Sequence, residues 1–214
     1  MQPFQITIDG PAGSGKSSIS KELAKKIGFV HLDTGAMYRA VTLLAIEKNI
    51  NLEDPKSYTF LETTNFKYVD DKMYIDDRDV TDDIRNQAVT NHVSLVSSIP
   101  YVREMMVKRQ QEIVNQYDCI VDGRDIGSVV LPNAQLKIFL TAAIEERAKR
   151  RIAELKDKVS LESMIEDIKL RDFKDSNRKT SPLTKASDAI VLDTTHLTHQ
   201  EVINAILVEI NKRK

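Results

Sequence analysis

Residues 10–17, Gly10-Pro11-Ala12-Gly13-Ser14-Gly15-Lys16-Ser17, hold the most specific chemistry in the chain. They fit G-x-x-x-x-G-K-[ST], between the apolar run Phe4-Gln5-Ile6-Thr7-Ile8 and a stretch of helical spacing. That strand–loop–helix setting is the one in which the motif cradles a polyphosphate. Glycines let the backbone curl so that successive N–H groups point inward, next to the positive end of the following helix. In this reading Gly10 to Ser18 wrap a nucleoside triphosphate. Lys16 reaches its β- and γ-phosphates, and the Ser17 hydroxyl sits on Mg²⁺. What receives the phosphate must be read from the rest of the chain.

Asp122 follows the apolar Cys119-Ile120-Val121, where a second acidic group near Mg²⁺ is expected after a strand. Asp122-Gly123-Arg124-Asp125 then places an arginine and two carboxylates at the same sheet edge as the P-loop. Arg39, one turn into a helix, and Arg103, just after Pro100, stand in similar positions. Taken singly, each arginine reads as a solvated surface residue. Grouped at strand ends, their planar forks point to an anionic acceptor. Arg147-Ala148-Lys149-Arg150-Arg151 lies on a helix expected to resume after Asp157-Lys158. Arg171, Asp175 and Arg178, spaced four and three apart, share one helix face. Phosphoryl transfer needs charge stabilisation and alignment more than a general base. A lid of arginines closing over the P-loop supplies both and excludes water. None of His31, His92, His196 and His199 takes a chemical role in this reading; each is structural or superficial.

These residues need a scaffold that brings strand ends together. Apolar runs at 4–9, 29–32, 118–122, 136–140 and 189–192 read as strands. Helical spacing covers 16–27 and 35 to about 48, and a last helix opens on the capping box Thr198-His199-Gln200-Glu201. Strands alternating with helices predict an α/β fold: a parallel sheet with helices on both faces and ligands at the strands' carboxyl ends. Residues 65–81 instead alternate as a short antiparallel meander between helical regions at roughly 35–62 and 83–97. The expected organisation is a core of 1–61 and 96–214, with a lid at about 150–178 and an inserted subdomain at 62–95.

The 214 residues are 41% hydrophobic, enough for a real core, and carry a net charge of −1. That balance supplies no general field for nucleic acid or anionic membrane. No run of eighteen apolar residues or basic leader is present, and Cys119 is the single cysteine. The expectation is a cytoplasmic enzyme with no membrane or nucleic-acid partner.

Four segments taken together resemble the bacterial cytidylate kinase family: Ile6-Thr7-Ile8-Asp9-Gly10-Pro11, Leu32-Asp33-Thr34-Gly35-Ala36-Met37-Tyr38-Arg39, Val121-Asp122-Gly123-Arg124-Asp125, and Arg171-Asp172 with Asp175 and Arg178. The resemblance runs essentially the full length. It implies a five-stranded parallel P-loop core, a nucleoside-monophosphate-binding insert, a short arginine-bearing lid, and transfer of phosphate from ATP·Mg²⁺ to CMP or dCMP. It implies Arg39 and Arg124 on the acceptor's phosphate, with Thr34, Ser94, Arg103 and Asp125 around the cytosine. Asp175 with Arg171 would face the sugar hydroxyls, and Arg178, Arg150 and Arg151 the transferring phosphates. A monomer suits a closing lid best. Rival readings are a P-loop kinase for another small acceptor, such as shikimate or dephospho-coenzyme A, and a nucleotide-dependent switch. Against the switch, residues 184–188, Thr-Lys-Ala-Ser-Asp, lack the guanine-reading Asn-Lys-x-Asp pattern.

Overall fold

Ile6, Thr7, Ile8 and Asp9 are all buried although alternate residues of a strand face opposite ways, so both faces of this strand are covered. It is the centre of the sheet. The computed structural model describes residues 2–155 and 159–213. The first strand, β1 (Gln5–Asp9), leads through the P-loop into α1 (Lys16–Ile27), followed by β2 (Val30–Asp33) and α2 (Thr34–Glu47). A 3₁₀ segment (Pro55–Glu62) precedes a small meander of β3 (Phe66–Val69), β4 (Lys72–Ile75) and β5 (Arg78–Asp79). Next come a 3₁₀ turn (Asp83–Arg85), α3 (Gln87–Val96), α4 (Pro100–Val114) and β6 (Cys119–Gly123). A wide helical turn (Ile126–Val130) precedes β7 (Leu136–Thr141), α5 (Ile144–Ala153) and α6 (Leu161–Asn177), and the chain ends with β8 (Ile190–Asp193) and α7 (His199–Asn211).

The five long strands form one parallel sheet in the order β2-β6-β1-β7-β8. Because β6 and β7 flank β1, the chain leaves the central strand in opposite directions, and a crevice opens at its carboxyl end. Strand register fixes what meets there. Asp9 lies level with Gly123, and Asp33 with Asp122. On one face α1 and α7 bury Ile19, Leu23, Val202, Ile203 and Ile206 against Ile6, Ile8 and Ile138. On the other, α2, α3 and α4 bury Met37, Val41, Val93 and Met106 against Leu32 and Val121.

The antiparallel sheet β3-β4-β5 falls where the alternation predicted a meander. Its Phe66, Met73 and Ile75 belong to the same cluster as α2 and α3, so the insert is seated on the core and has no core of its own. Helices α5 and α6 have a separate small cluster, Ala148, Met164 and Ile168. The helix after Asp33 ends at Glu47, close to the expected end near Lys48, and the helical region up to 62 is completed by the 3₁₀ segment Pro55–Glu62. One expectation changes. Arg178 does not continue the helix face of Arg171 and Asp175; it is the C-cap of α6 with extended backbone. The expected break at Asp157-Lys158 lies outside the described residues. No helix among the described residues is long and apolar enough to cross a membrane.

Candidate active site

The P-loop folds as its glycines require. Gly10 has φ 151°, and a Cβ there would stand 2.0 Å from the carbonyl oxygen of Leu140 on β7. Only glycine fits against that neighbouring strand. Gly13, at φ 73°, similarly lies against the backbone of Arg147 on α5. Ala12, between them, is held from both sides: its N–H donates to Asp172 Oδ1 (2.9 Å) and its carbonyl accepts from Arg147 Nη1 (2.9 Å). Arg147 and Asp172 are themselves paired at 2.5 Å. A residue from each of α5 and α6 thus grips the phosphate loop.

Lys16 is buried, and its Nζ donates to the loop's own Pro11 carbonyl (2.7 Å) and to Ser14 Oγ (3.3 Å). Burial, and then the nearby Arg124, pull its pKa well below the ordinary lysine value. An anion in the loop would relieve both effects. Ser17 Oγ donates to Asp122 Oδ2 at 2.6 Å, while Ser18 Oγ turns back to the Gly15 carbonyl. The two hard oxygens of Ser17 and Asp122 therefore sit together beside the P-loop. Magnesium prefers one or two protein carboxylates and substrate phosphates to an all-protein cage, and no cage of three His, Cys, Asp or Glu side chains occurs among the described residues. The donor set fits the ion.

Opposite the P-loop lies a cleft of about 930 Å³ lined by α2, α3, α6 and the end of β6. Lys16, Ser17, Thr34, Arg39, Ser94, Asp122, Arg124, Asp125, Arg151, Arg171, Asp175 and Arg178 all border it. Arg103 lies just behind, donating into Asp125 and to the Ser97 carbonyl, with its guanidinium 5.4 Å from the Tyr38 ring centroid. The second oxygen of Asp125 accepts from Arg178 Nη2 at 3.1 Å. Far from being solvated, Arg103 is 2% exposed. Arg124 Nε donates to Asp175 Oδ2 (2.9 Å), and Ser94 Oγ faces Asp175 Oδ1 (3.5 Å). Thr34 Oγ1 donates to the Asp122 carbonyl. Arg150 sits beside the P-loop rather than in the cleft lining, tied to Thr194 through its hydroxyl and carbonyl.

The charge balance of this cleft is incomplete. Among the described residues Arg39 donates only to the Ile84 carbonyl and the Thr90 hydroxyl, and Arg171 Nε is buried with no hydrogen-bond partner. Burial and then Arg171 depress Arg39 to about 9; burial and then Arg124 depress Arg171 to about 10. Arginines that destabilise one another across an open cleft form a preorganised anion site.

His31 is more engaged than a structural strand residue. Its ring nitrogens contact Asp71 Oδ1 (2.7 Å) and Asp122 Oδ1 (2.8 Å), and its side chain is 7% exposed. Burial pushes its pKa down, but the Asp122 and Asp71 carboxylates outweigh that and raise it to about 9. The sequence held no signal for this contact beyond His31's place two residues before Asp33. Of the other histidines, His92 bonds a carbonyl of its own helix and His199 pairs with Glu22 at the surface.

The sequence assigns no role to Asp9, which figures there only within the segment Ile6 to Pro11. Its oxygens accept from Ile126 N and Gly127 N, both at 2.8 Å, and so anchor the turn that carries Asp125. Burial raises its pKa to about 6 against those two bonds. A further hollow of about 1100 Å³ lies between α1, β3 and α4, away from the phosphate loop.

The family model described as cytidylate kinase matches residues 6–212. A cytidylate kinase of Acholeplasma laidlawii is 55% identical, covering 100% of this chain and 98% of its own length. One from Caldanaerobacter subterraneus subsp. tengcongensis is 49% identical over 97% of this chain and 95% of its own. Among solved structures, a gluconokinase from Sinorhizobium meliloti superposes with a TM-score of 0.51 at 13% identity, covering 98% of this chain and 93% of its own, a likeness of fold alone. Sequence similarity of this extent, on a P-loop fold with the motif residues gathered round one cleft, means that the chain belongs to the cytidylate kinase family.

Proposed function

We propose that the chain binds ATP on Gly10–Ser18, binds CMP or dCMP in the cleft under α2, α3 and α6, and passes the γ-phosphoryl group between them. Family membership makes it a phosphotransferase acting on a nucleoside monophosphate, with CDP or dCDP as product. The observation that carries the assignment of the cleft is the unbalanced arginine set. Arg39 and Arg171 have no carboxylate partner among the described residues, and both border the cleft that the P-loop opens into. A phosphate monoester beside Arg39 would supply the missing charge, and the attached sugar would bring hydroxyls to the unpaired Arg171.

In this reading Arg39 and Arg124 hold the acceptor phosphate in line with the donor, and Asp175 with Arg171 faces the sugar hydroxyls. Thr34, Ser94, Arg103 and Asp125 surround the cytosine. A carboxylate accepts from cytosine N4, and a guanidinium donates to N3 or O2. Uracil reverses both patterns, so a site built on these bonds rejects it. Lys16, Arg150, Arg151 and Arg178 stabilise the charge on the transferring phosphoryl group, and no side chain is needed as a strong base. Ser17 and Asp122 would hold Mg²⁺, which would offset the negative charge of the phosphates. Residues 62–95 act as the acceptor-side insert and about 150–178 as the lid, in a cytoplasmic monomer.

Calorimetric titration with CMP tests the acceptor assignment. Arg39→Ala and Arg171→Ala should each weaken CMP binding by roughly 10- to 100-fold, the worth of a charge-assisted contact. Undiminished binding by both variants would overturn it.

A further inference from the structure

His31 is a buried titratable group at the site that the proposed reaction leaves unused, and it stands between two parts of the molecule. Its Nε2 meets Asp122 Oδ1, leaving Asp122 Oδ2 for Ser17. Its Nδ1 meets Asp71 Oδ1 in the turn between β3 and β4. Each nitrogen faces a carboxylate oxygen, so a ring N–H on either side has an acceptor to donate to. Asp71 is held in turn by Lys21 of α1 at 3.2 Å, and Tyr68 packs its ring edge-on to the imidazole with centroids 5.8 Å apart. Asp33, the cap of α2, completes the acidic surroundings. Lys21, His31, Tyr68 and Asp71 border both the nucleotide cleft and the neighbouring hollow, so this cluster is the wall between them.

We propose that His31 is a positioning residue: it holds the Asp122 carboxylate in the orientation that serves Ser17 and the metal, and it makes that orientation depend on Asp71 of the inserted sheet. The proposal rests on the placement of Asp122 at the metal side of the P-loop. The physical basis is that an imidazole N–H fixes one oxygen of a carboxylate and leaves the other free to serve the ion, as outer-shell partners of metal ligands do. The insert enters because the opposite nitrogen of the ring is fixed only by Asp71. The acceptor-side subdomain and the donor-side carboxylate are therefore joined through one side chain.

The test is Mn²⁺ binding to the enzyme–ADP complex, followed by electron paramagnetic resonance, with the kcat and KM for CMP measured alongside. His31→Leu should weaken Mn²⁺ binding by about 10- to 100-fold, and lower kcat more than it changes the KM for CMP. His31→Gln, which keeps a donor toward Asp122, should recover most of that loss. Asp71→Ala should produce a smaller loss, and the double variant His31→Leu/Asp71→Ala should be no worse than His31→Leu alone, because the coupling runs through the ring. Thermal unfolding of each variant separates these effects from loss of fold. Mn²⁺ binding by a folded His31→Leu within twofold of the parent overturns the proposal, as does a double variant equal to the product of the singles. Asp122→Ala is the control for the underlying assignment. If it weakens Mn²⁺ binding and His31→Leu does not, His31 alone is refuted; if neither does, the metal-side placement of Asp122 falls as well.

Discussion

Replacing Asp125 by asparagine removes one charge with almost no change of volume, at a point where two arginines converge. One carboxylate oxygen takes Arg103 and the other Arg178, and Arg103 and Asp125 are almost wholly buried. Breaking a buried pair by removing one partner costs about 3–5 kcal/mol, because the surviving charge keeps its desolvation penalty. Here Arg103 retains the Ser97 carbonyl and Arg178 the Ser181 carbonyl, which places Asp125→Asn near the lower end, about 3 kcal/mol. For a domain of this size that is a fall in Tm of roughly 6–12 °C. The same substitution changes what the cleft reads. An amide at 125 can donate to the O4 of uracil as readily as it accepts from the N4 of cytosine, so the part of the penalty against UMP that comes from position 125 disappears, while the mismatch of uracil N3–H with Arg103 stays. A hydrogen bond to a charged group is worth about 1.5–3 kcal/mol, so the ratio of kcat/KM for CMP over UMP should drop by roughly 10- to 150-fold. Calorimetric unfolding and coupled ADP-release assays with the two acceptors measure the two effects. A variant with unchanged Tm and an unchanged CMP-to-UMP ratio would refute the burial argument and the base-reading argument together.

Asp9→Asn should alter the pH dependence of stability. Burial raises the Asp9 carboxyl from 3.8 to about 6, so its contribution is fully present below pH 3.8 and is lost as pH rises to about 6. Over that window the parent should lose roughly 3 kcal/mol relative to the asparagine variant; parallel urea-unfolding curves from pH 4 to 7 would contradict this. Arg147→Ala removes the donor to the Ala12 carbonyl and the partner of Asp172. It should cost about 2–3 kcal/mol and weaken ATP binding while leaving CMP binding close to the parent, as calorimetry with each nucleotide would reveal.

Much of the fold could be read from local signals. The P-loop sits between a strand and a helix within one segment, and Thr198 with Glu201 forms the capping box that its spacing predicts. The buried strands announce themselves as unbroken apolar runs, and the Asp70-Asp71 turn has the positive φ values that such a pair tolerates. What escaped depends on long-range pairing. Nothing in the sequence says that Asp125 is shared by Arg103 and Arg178, that Asp175 prefers Arg124 to its helix neighbour Arg171, or that Ala12 is gripped by Arg147 and Asp172. Each joins residues 22 to 160 positions apart in the chain. His31 is the sharpest case. Its periodicity marks a strand position, and only the parallel register of β2 with β6, together with the fold of the insert, brings Asp122 and Asp71 to its two nitrogens.

The central claim is that this cleft accepts a cytidine monophosphate, and ADP formation from ATP·Mg²⁺ tests it most directly when measured with no acceptor and then with CMP, dCMP, UMP and AMP. The account predicts strong stimulation by CMP and dCMP, with UMP and AMP far behind. Equal rates with CMP and UMP would contradict the roles given to Arg103 and Asp125, and no stimulation by any of the four would contradict the acceptor site itself.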